Sequence, residues 1–229
     1  EEPCAEISLG GKKDVDEAVS AAKKAFETWA FSKKDERLDL LEKLYVVYKK
    51  RWAEMAKLIS LEMGAPMKFS TEMQAATGAS HIKSFKNILK DFQFEKDLGE
   101  EKNNQKLIYE PKGVCALITP WNWPINQVNL KVIPALASAC TVVLKPSEIA
   151  PLSSMLLAEM IDEAKFPPGV FNLVNGDGAI TGDALTSHPD INMISFTGST
   201  RAGALISQNA AKDFKRISLE LGGKGANII

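Results

Sequence analysis

Residues 114–119, VCALIT, are the first of five short apolar runs that decide the fold. The others are TVVLK (141–145), VFNLV (170–174), INMISF (191–196) and KRISLE (215–220), and a further short candidate, KLIYEP (106–111), precedes them. Such runs, bounded by turn residues, predict strands. Helix-length stretches start between them near Ile125, Leu152, Ala179 and Thr200. The alternation predicts an α/β fold with a mostly parallel, Rossmann-like sheet and helices on both faces.

The first hundred residues have a different, helical pattern. Apolar side chains recur every three or four positions from Val15 to Trp29 and again from Leu38 to Leu58. Gly64 and Pro66 are expected to end the second helix, and a third is expected over 71–94. The charged stretch EKDLGEEKNN (95–104) is expected to be an exposed connection. An N-terminal helical part is therefore predicted before the sheet.

Composition excludes several classes of function. The formal charge is −1 with acidic and basic residues mixed, so neither a nucleic-acid stripe nor a polybasic membrane arm is expected. No apolar run reaches the length of a membrane span. The three cysteines, Cys4, Cys115 and Cys140, lack metal-site spacing and are odd in number, which favours a reducing compartment and argues against a zinc site. We expect a cytoplasmic protein whose partners are small molecules or further copies of itself.

Polar motifs follow the predicted strands, where ligands bind in open α/β sheets. The first is PWNWP (120–124) after VCALIT. Two prolines restrict the backbone around Asn122, whose amide can donate a hydrogen bond to an oxyanion. The alternative is that Asn122 caps the helix beginning near Ile125.

The second motif is KPSE (145–148). An ammonium at Lys145 and a carboxylate at Glu148 suit the vicinal hydroxyls of a ribose. Equally, Ser147 or Glu148 can cap the helix entered near Pro151 while Lys145 is solvated.

Two further motifs are rich in glycine. NGDGAITG (175–182) does not match a dinucleotide fingerprint, because the third glycine position holds Thr181, so a simple turn onto a helix is the alternative. FTGST (196–200) places a glycine and hydroxyls at a helix N-terminus, which suits a phosphate. Its alternative is Ser199 as an ordinary N-cap.

The last motif is LELGGK (219–224), in which Glu220 is expected to end a buried apolar strand. Desolvation favours the protonated form of a carboxylate, which makes Glu220 a candidate general base near neutral pH. The alternative is a structural glutamate paired with Arg216 or Lys224.

In this order and spacing, the five motifs resemble the aldehyde dehydrogenase superfamily, and the resemblance covers essentially the whole chain. It implies a variant Rossmann domain without the usual glycine fingerprint, an aldehyde substrate oxidised to an acid, NAD as cofactor with NADP possible, and a homo-oligomer. It implies that Asn122 stabilises the oxyanion, that Glu220 activates water to hydrolyse the acyl-enzyme, and that Lys131 is linked to proton release. The cofactor contacts it implies are Ile118, Thr119, Trp121, Lys145, Ser147, Glu148, Gly178, Gly182, Phe196, Thr197, Gly198, Ser199 and Leu221.

One departure from the family pattern is large. The family's nucleophilic cysteine follows the LELGGK glutamate in a Gly-Gln-x-Cys context, and the sequence ends at Ile229 without it. Cys4, Cys115 and Cys140 are expected to be structural. We therefore expect a partial, inactive aldehyde dehydrogenase, divided into an N-terminal helical part (1–100), a bridging strand for oligomerisation (101–112) and a Rossmann-like core (113–229). The alternative is a catalytically incomplete nucleotide-binding or oligomerising module.

Overall fold

The computed structural model describes residues 3–99 and 105–228. Its strands are β1 (Glu95–Asp97), β2 (Lys106–Ile108), β3 (Val114–Ile118), β4 (Thr141–Lys145), β5 (Phe171–Leu173), β6 (Met193–Gly198) and β7 (Arg216–Leu221). Its helices are α1 (Lys12–Trp29), α2 (Lys34–Lys50), α3 (Trp52–Met63), α4 (Met67–Phe69), α5 (Ala75–Asp91), α6 (Pro124–Ala137), α7 (Leu152–Glu163), α8 (Asp183–Ser187) and α9 (Thr200–Ala211).

Strands β3 to β7 form one parallel sheet in the order β5-β4-β3-β6-β7. The predicted α/β class is confirmed. The chain proceeds from the central strand β3 to one side, then crosses back to β6 on the other. This reversal places a crevice beyond the carboxyl ends of β3 and β6, where open α/β sheets bind ligands. The register sets Ile118 beside both Lys145 and Phe196, at those ends.

The side chains of β3 alternate between two apolar clusters, because successive residues of a strand point to opposite faces. Cys115 and Leu117 belong to the cluster that contains buried residues of α2, α3, α5, α6 and α7. Val114, Ala116 and Ile118 belong to the cluster on the other face, with buried residues of α1, α8 and α9. Helices of the first hundred residues thus pack on both sides of the sheet.

The N-terminal helices differ in detail from the pattern-based prediction. The second predicted helix is two helices, separated at Arg51, which has non-helical backbone angles. Gly64 ends α3 with a φ of 72°, as its sequence position predicts. The third helix begins at Ala75 after a π-helical turn over Ser70–Gln74 and ends at Asp91. Within the described ranges, no helix has the length and apolar character needed to cross a membrane.

The charged stretch after α5 is not only a connection. Glu95–Asp97 forms β1 and pairs antiparallel with β2, so the predicted KLIYEP strand is present with an unexpected partner. All three residues of β1 are exposed, and charge pairing between Lys106 and Glu95 links the strands. β1 is held by its hydrogen bonds to β2 and buries none of its residues, so hydrophobic periodicity cannot reveal it. Residues 100–104 lie outside the described part.

Candidate functional site

The carboxyl end of the sheet contains a cavity of about 320 Å³, here called the Lys145 cavity. It lies on the face covered by α1, α8 and α9. Five predicted cofactor residues line it, from four different segments of the chain: Ile118, Lys145, Gly178, Gly182 and Phe196. The remaining wall includes Asp183, Thr186 and Asn209, whose amide donates to Asp183 Oδ1 at 2.9 Å and to Thr186 Oγ1 at 3.0 Å. Sequence reasoning missed these three, because α8 and α9 meet only in the folded chain.

Lys145 is almost fully buried, with 4% of its side chain exposed, so the solvated alternative is wrong. Its Nζ donates to the carbonyl oxygens of Pro146 (2.9 Å) and Gly176 (2.5 Å) and lies 3.4 Å from Glu148 Oε2. Burial lowers the pKa of Lys145, an effect that the carboxylate of Glu148 opposes. The result is a cation fixed between two strand ends.

The helix after KPSE is not capped by Ser147 or Glu148. Its first backbone N–H groups instead donate to Glu62 at the end of α3, at 2.5 Å for Leu152 and 3.2 Å for Ser153. Burial raises the pKa of Glu62, while these hydrogen bonds oppose the shift. Glu148 is consequently exposed and free of a capping role. Local sequence carries no sign of Glu62, because the cap comes from ninety residues away.

Two buried hydroxyls at the crevice have no hydrogen-bond partner in the described part of the chain: Thr119 Oγ1 and Thr197 Oγ1. Thr119 directly follows β3, and Thr197 is the second-to-last residue of neighbouring β6. A buried hydroxyl without a hydrogen-bond partner destabilises the folded chain. A polar ligand bound at the crevice could supply the missing hydrogen bonds. Both residues are among the predicted cofactor contacts.

FTGST is organised by packing as well as by capping. Ser199 is the N-cap of α9, and its hydroxyl accepts from Ala202 N at 3.2 Å, so the capping alternative is confirmed. A Cβ on Gly198 would lie 2.9 Å from Cε2 of Phe196, so this position has no room for a side chain. Leu221 packs in the same way against Gly203 of α9. These contacts leave the N-terminus of α9 beside the Phe196 ring.

The Gly-rich loop turns onto a short helix, which is the alternative expected for it. Asp177 caps this turn by accepting from Ile180 N at 2.7 Å, and a π-helical segment spans Gly178–Gly182. Thr181, which breaks the dinucleotide fingerprint, is buried and donates to the carbonyl oxygen of Gly10. Position 181 therefore anchors the N-terminal segment, while Gly178 and Gly182 border the cavity.

Asn122 is exposed and does not cap α6, because the helix begins at Pro124 with Trp123 as its N-cap residue. Trp123 holds the loop in place: its Nε1 donates to Thr77 Oγ1 at 3.2 Å. Its ring also packs against Phe69 at a centroid distance of 6.0 Å. Trp121, by contrast, is 48% exposed and fills no space in the core. Asn122 therefore extends from a loop that is fixed on one side.

Glu220 lies on the other face of the sheet, where it lines a second cavity of about 420 Å³, the Lys131 cavity. Lys131 Nζ donates to Ser195 Oγ at 2.9 Å inside it. Burial lowers the pKa of Lys131, and nearby Glu220 opposes this shift. Sequence reasoning missed Ser195, because a single serine within a predicted strand gives no sign of a function by itself.

The expectation that Glu220 ends a buried strand is wrong. β7 is an edge strand of the sheet, and Glu220 is exposed. Desolvation therefore gives no reason to assign it as a base. Within residues 3–99 and 105–228, Glu220 also makes no ion pair with Arg216 or Lys224.

The site residues predicted from the sequence fall into three groups. Those lining the Lys145 cavity are brought together, whereas Thr119 and Thr197 follow Ile118 and Phe196 in sequence but are not part of its wall. Glu220 and Lys131 share the cavity on the opposite face. Outside both cavity walls lie Asn122, Trp121, Ser147, Glu148, Gly198, Ser199 and Leu221.

Comparison with known proteins identifies the family. The family model described as "Aldehyde dehydrogenase family" matches residues 1–229. The chain belongs to this family. A 3-succinoylsemialdehyde-pyridine dehydrogenase from a Pseudomonas species is 53% identical over 224 residues, which are 97% of this chain and 46% of that protein.

Solved structures of aldehyde dehydrogenases have the same fold. The enzyme from Bartonella henselae superposes with a TM-score of 0.96 at 60% identity, covering 99% of this chain and 48% of its own. A mutant of aldehyde dehydrogenase C from Pseudomonas syringae, crystallised with NAD+ and octanal, has a TM-score of 0.95 at 47% identity, with coverages of 99% and 46%. The chain thus spans about half the length of the relatives it matches.

Proposed function

We propose that this chain supplies the NAD-binding half of an aldehyde dehydrogenase that oxidises an aldehyde to a carboxylic acid, with NADP as a weaker alternative cofactor. The observation that carries the proposal is the Lys145 cavity, where residues from four segments meet at the point where the strand order reverses. Ligand crevices of open α/β sheets form at this point. Relatives crystallised with NAD+ support the choice of cofactor.

The residues around the Lys145 cavity fit the adenosine half of NAD. Buried Lys145 presents an ammonium group, and exposed Glu148, 3.4 Å away, presents a carboxylate. Such a pair recognises the two hydroxyls of a ribose, one as donor and one as acceptor. The unpartnered hydroxyls of Thr119 and Thr197 lie outside the wall of this cavity and supply further polar atoms at the strand ends. The remaining predicted cofactor residues, including Gly198 and Ser199 at the N-terminus of α9, are proposed to continue this surface toward the pyrophosphate.

The chemical roles follow from the side chains. NAD, when bound, accepts a hydride from the aldehyde carbon. We assign Asn122 the donation of an amide N–H to the developing oxyanion, which typically contributes about 3 kcal/mol to lowering a barrier. Glu220 takes a proton from the water that releases the acid, and Lys131, held by Ser195, is close enough to influence that carboxylate. Exposure of Glu220 leaves its carboxylate accessible to water.

We further propose that the 229-residue chain binds NAD without oxidising aldehydes. Its two buried thiols are not placed for nucleophilic attack near Asn122: Cys115 lies in β3 and Cys140 directly precedes β4, at the amino ends of both strands. Asn122 follows the opposite end of β3. The substrate class, an aldehyde, is supported by one relative crystallised with octanal and by another named as a 3-succinoylsemialdehyde-pyridine dehydrogenase. A nucleotide-binding module without any chemistry remains the alternative.

Glu148 provides the test of cofactor choice. A carboxylate at this position repels a 2′-phosphate, so Glu148→Gln should weaken NAD binding several-fold and strengthen NADP binding. We expect the NAD-to-NADP affinity ratio to fall by at least about tenfold, equivalent to about 1.4 kcal/mol. Calorimetric titrations of both cofactors measure this ratio.

The matched control is Glu159→Gln, which removes a carboxylate from α7, remote from the cavity walls. An unchanged ratio in Glu148→Gln, or an equal change in Glu159→Gln, would contradict the assignment of Glu148. Titration with ADP-ribose adds a second readout, because the proposed contacts involve the adenosine half.

Assembly and location are proposals as well. The β1–β2 ribbon exposes Leu98, Ile108 and Tyr109 beside unpaired strand edges, which supports pairing between subunits of a homo-oligomer. Free thiols at Cys4, Cys115 and Cys140 support a cytoplasmic location. The division into a helical part, a bridging strand and a core stays a prediction, although α1 packs directly on the sheet.

A further inference from the structure

The Lys131 cavity contains two thiols that the proposed reaction does not use. Cys115 on β3 and Cys140, immediately before neighbouring β4, both line its wall. Adjacent strands of a sheet are about 4.8 Å apart, so their side chains on one face are neighbours. Both side chains belong to the buried cluster on the same face of the sheet. They form a dithiol that opens onto a cavity large enough for small reagents.

Polar groups around Cys140 favour its thiolate. Its Sγ accepts from Lys112 N at 3.2 Å and from Ser138 Oγ at 3.6 Å. The hydrogen bond from Cys115 lowers the pKa of Cys140, and burial only partly opposes this. The same pairing, together with burial, raises the pKa of Cys115. Cys140, which accepts these hydrogen bonds, is therefore the nucleophile of the pair, and Cys115 is the proton donor.

We propose that Cys140 and Cys115 are a redox-active dithiol, in which Cys140 is oxidised by small hydroperoxides that enter the Lys131 cavity and Cys115 resolves the product to a disulfide. This site is independent of the proposed cofactor binding. In the first step the Cys140 thiolate attacks a peroxide oxygen and the O–O bond breaks. The alcohol or water leaves after taking a proton from solvent, and Cys140 becomes a sulfenic acid.

In the second step Cys115 attacks the Cys140 sulfur. The S–S bond forms, the S–O bond breaks, and the hydroxyl group leaves as water with the Cys115 proton. The dithiol loses two electrons, which reduce one peroxide. Lys131 and Glu220 line the same cavity, so the oxidation state changes a wall they share.

The test treats the 229-residue chain, carrying Cys4→Ser to remove the exposed thiol, with hydrogen peroxide. We expect the intact mass to fall by that of two hydrogen atoms, and a peptide pair joined through Cys115 and Cys140 after digestion. With Cys115→Ser added, Cys140 should instead accumulate a sulfenic acid that dimedone traps. With Cys140→Ser, Cys115 should stay reduced.

Three outcomes would overturn the proposal. Both buried thiols could stay reduced at peroxide doses that oxidise Cys4 in the parent chain. Cys140 could persist as a sulfenic acid although Cys115 is present. Cys115 could also be oxidised when Cys140 is serine. In each case the assigned nucleophile or the assigned resolving thiol is wrong.

Iodoacetamide gives an independent measurement of the thiolate. At pH 7 we expect Cys140 to be alkylated at least about tenfold faster than Cys115, because thiolate and not thiol is the nucleophile. The rate at Cys140 should reach half its maximum below about pH 8.5, the ordinary value for a thiol. Faster labelling of Cys115 would reverse the roles and overturn the proposal.

Discussion

Replacing Gly78 with alanine is expected to destabilise the chain by about 3 kcal/mol, the upper range for overpacking a core. Gly78 lies in α5 against Tyr48 of α2, and a Cβ there would overlap the tyrosine hydroxyl and lie 3.0 Å from Ile125 Cγ1. Tyr48 cannot move away easily, because it is fully buried and its hydroxyl donates to Ala75 O at 2.9 Å. Urea unfolding followed by circular dichroism measures the loss.

Two variants make this result interpretable. Gly182→Ala is the matched control, because a Cβ there meets its nearest atom, Asp177 O, at 3.7 Å. Alanine at that position should be neutral or slightly stabilising, since glycine is a poor helix former. Tyr48→Phe removes the overlapping hydroxyl, so the double variant with Gly78→Ala should lose less than the two single losses together. Full stability of Gly78→Ala would contradict the close packing of α2 on α5.

Replacing Gly182 with leucine is expected to weaken NAD binding by at least about a hundredfold, or about 2.7 kcal/mol. Gly182 borders the Lys145 cavity, and a Cβ on it would lie 3.8 Å from Lys145 Cε. The rest of a leucine side chain must then occupy the cavity or displace Lys145. Calorimetric titration with NAD measures the affinity.

The same alanine variant controls for this effect. Gly182→Ala leaves most of the cavity open and should bind NAD within a few-fold of the parent chain. Unfolding measurements should place the leucine variant within about 1 kcal/mol of the parent, because the side chain enters existing space. Retention of parent-like affinity by folded Gly182→Leu would mean that NAD binds elsewhere.

The sequence predicted the sheet because each of its strands combines local signals. VCALIT and TVVLK are continuous apolar runs, and both are buried strands in the structure. The helix break at Arg51 was not predictable in the same way, because no glycine or proline marks it. β1 was missed because Glu95–Asp97 is charged and gains its hydrogen bonds only by pairing with β2. Local composition therefore predicts a buried strand well, but it predicts poorly which exposed segments pair as strands.

The site shows the same division. Lys145, Gly182 and Phe196 were singled out by motif position, and the cavity brings them together because all three lie at the carboxyl edge of the sheet. Glu220 was expected to end a buried apolar strand, yet the edge position of β7 is a tertiary property that local sequence does not report. Glu62 was missed because the α7 N-terminus it caps lies far along the chain. The pairing of Cys115 with Cys140 likewise depends on strand order.

Titration of NAD into the 229-residue chain, with aldehyde oxidation assayed in parallel, tests the central claim most directly. We predict saturable binding of one NAD per chain and no oxidation of octanal. A folded chain, judged by circular dichroism, that binds neither NAD nor NADP would contradict the assignment of the Lys145 cavity. Turnover of the aldehyde would contradict the assignment of the cysteines.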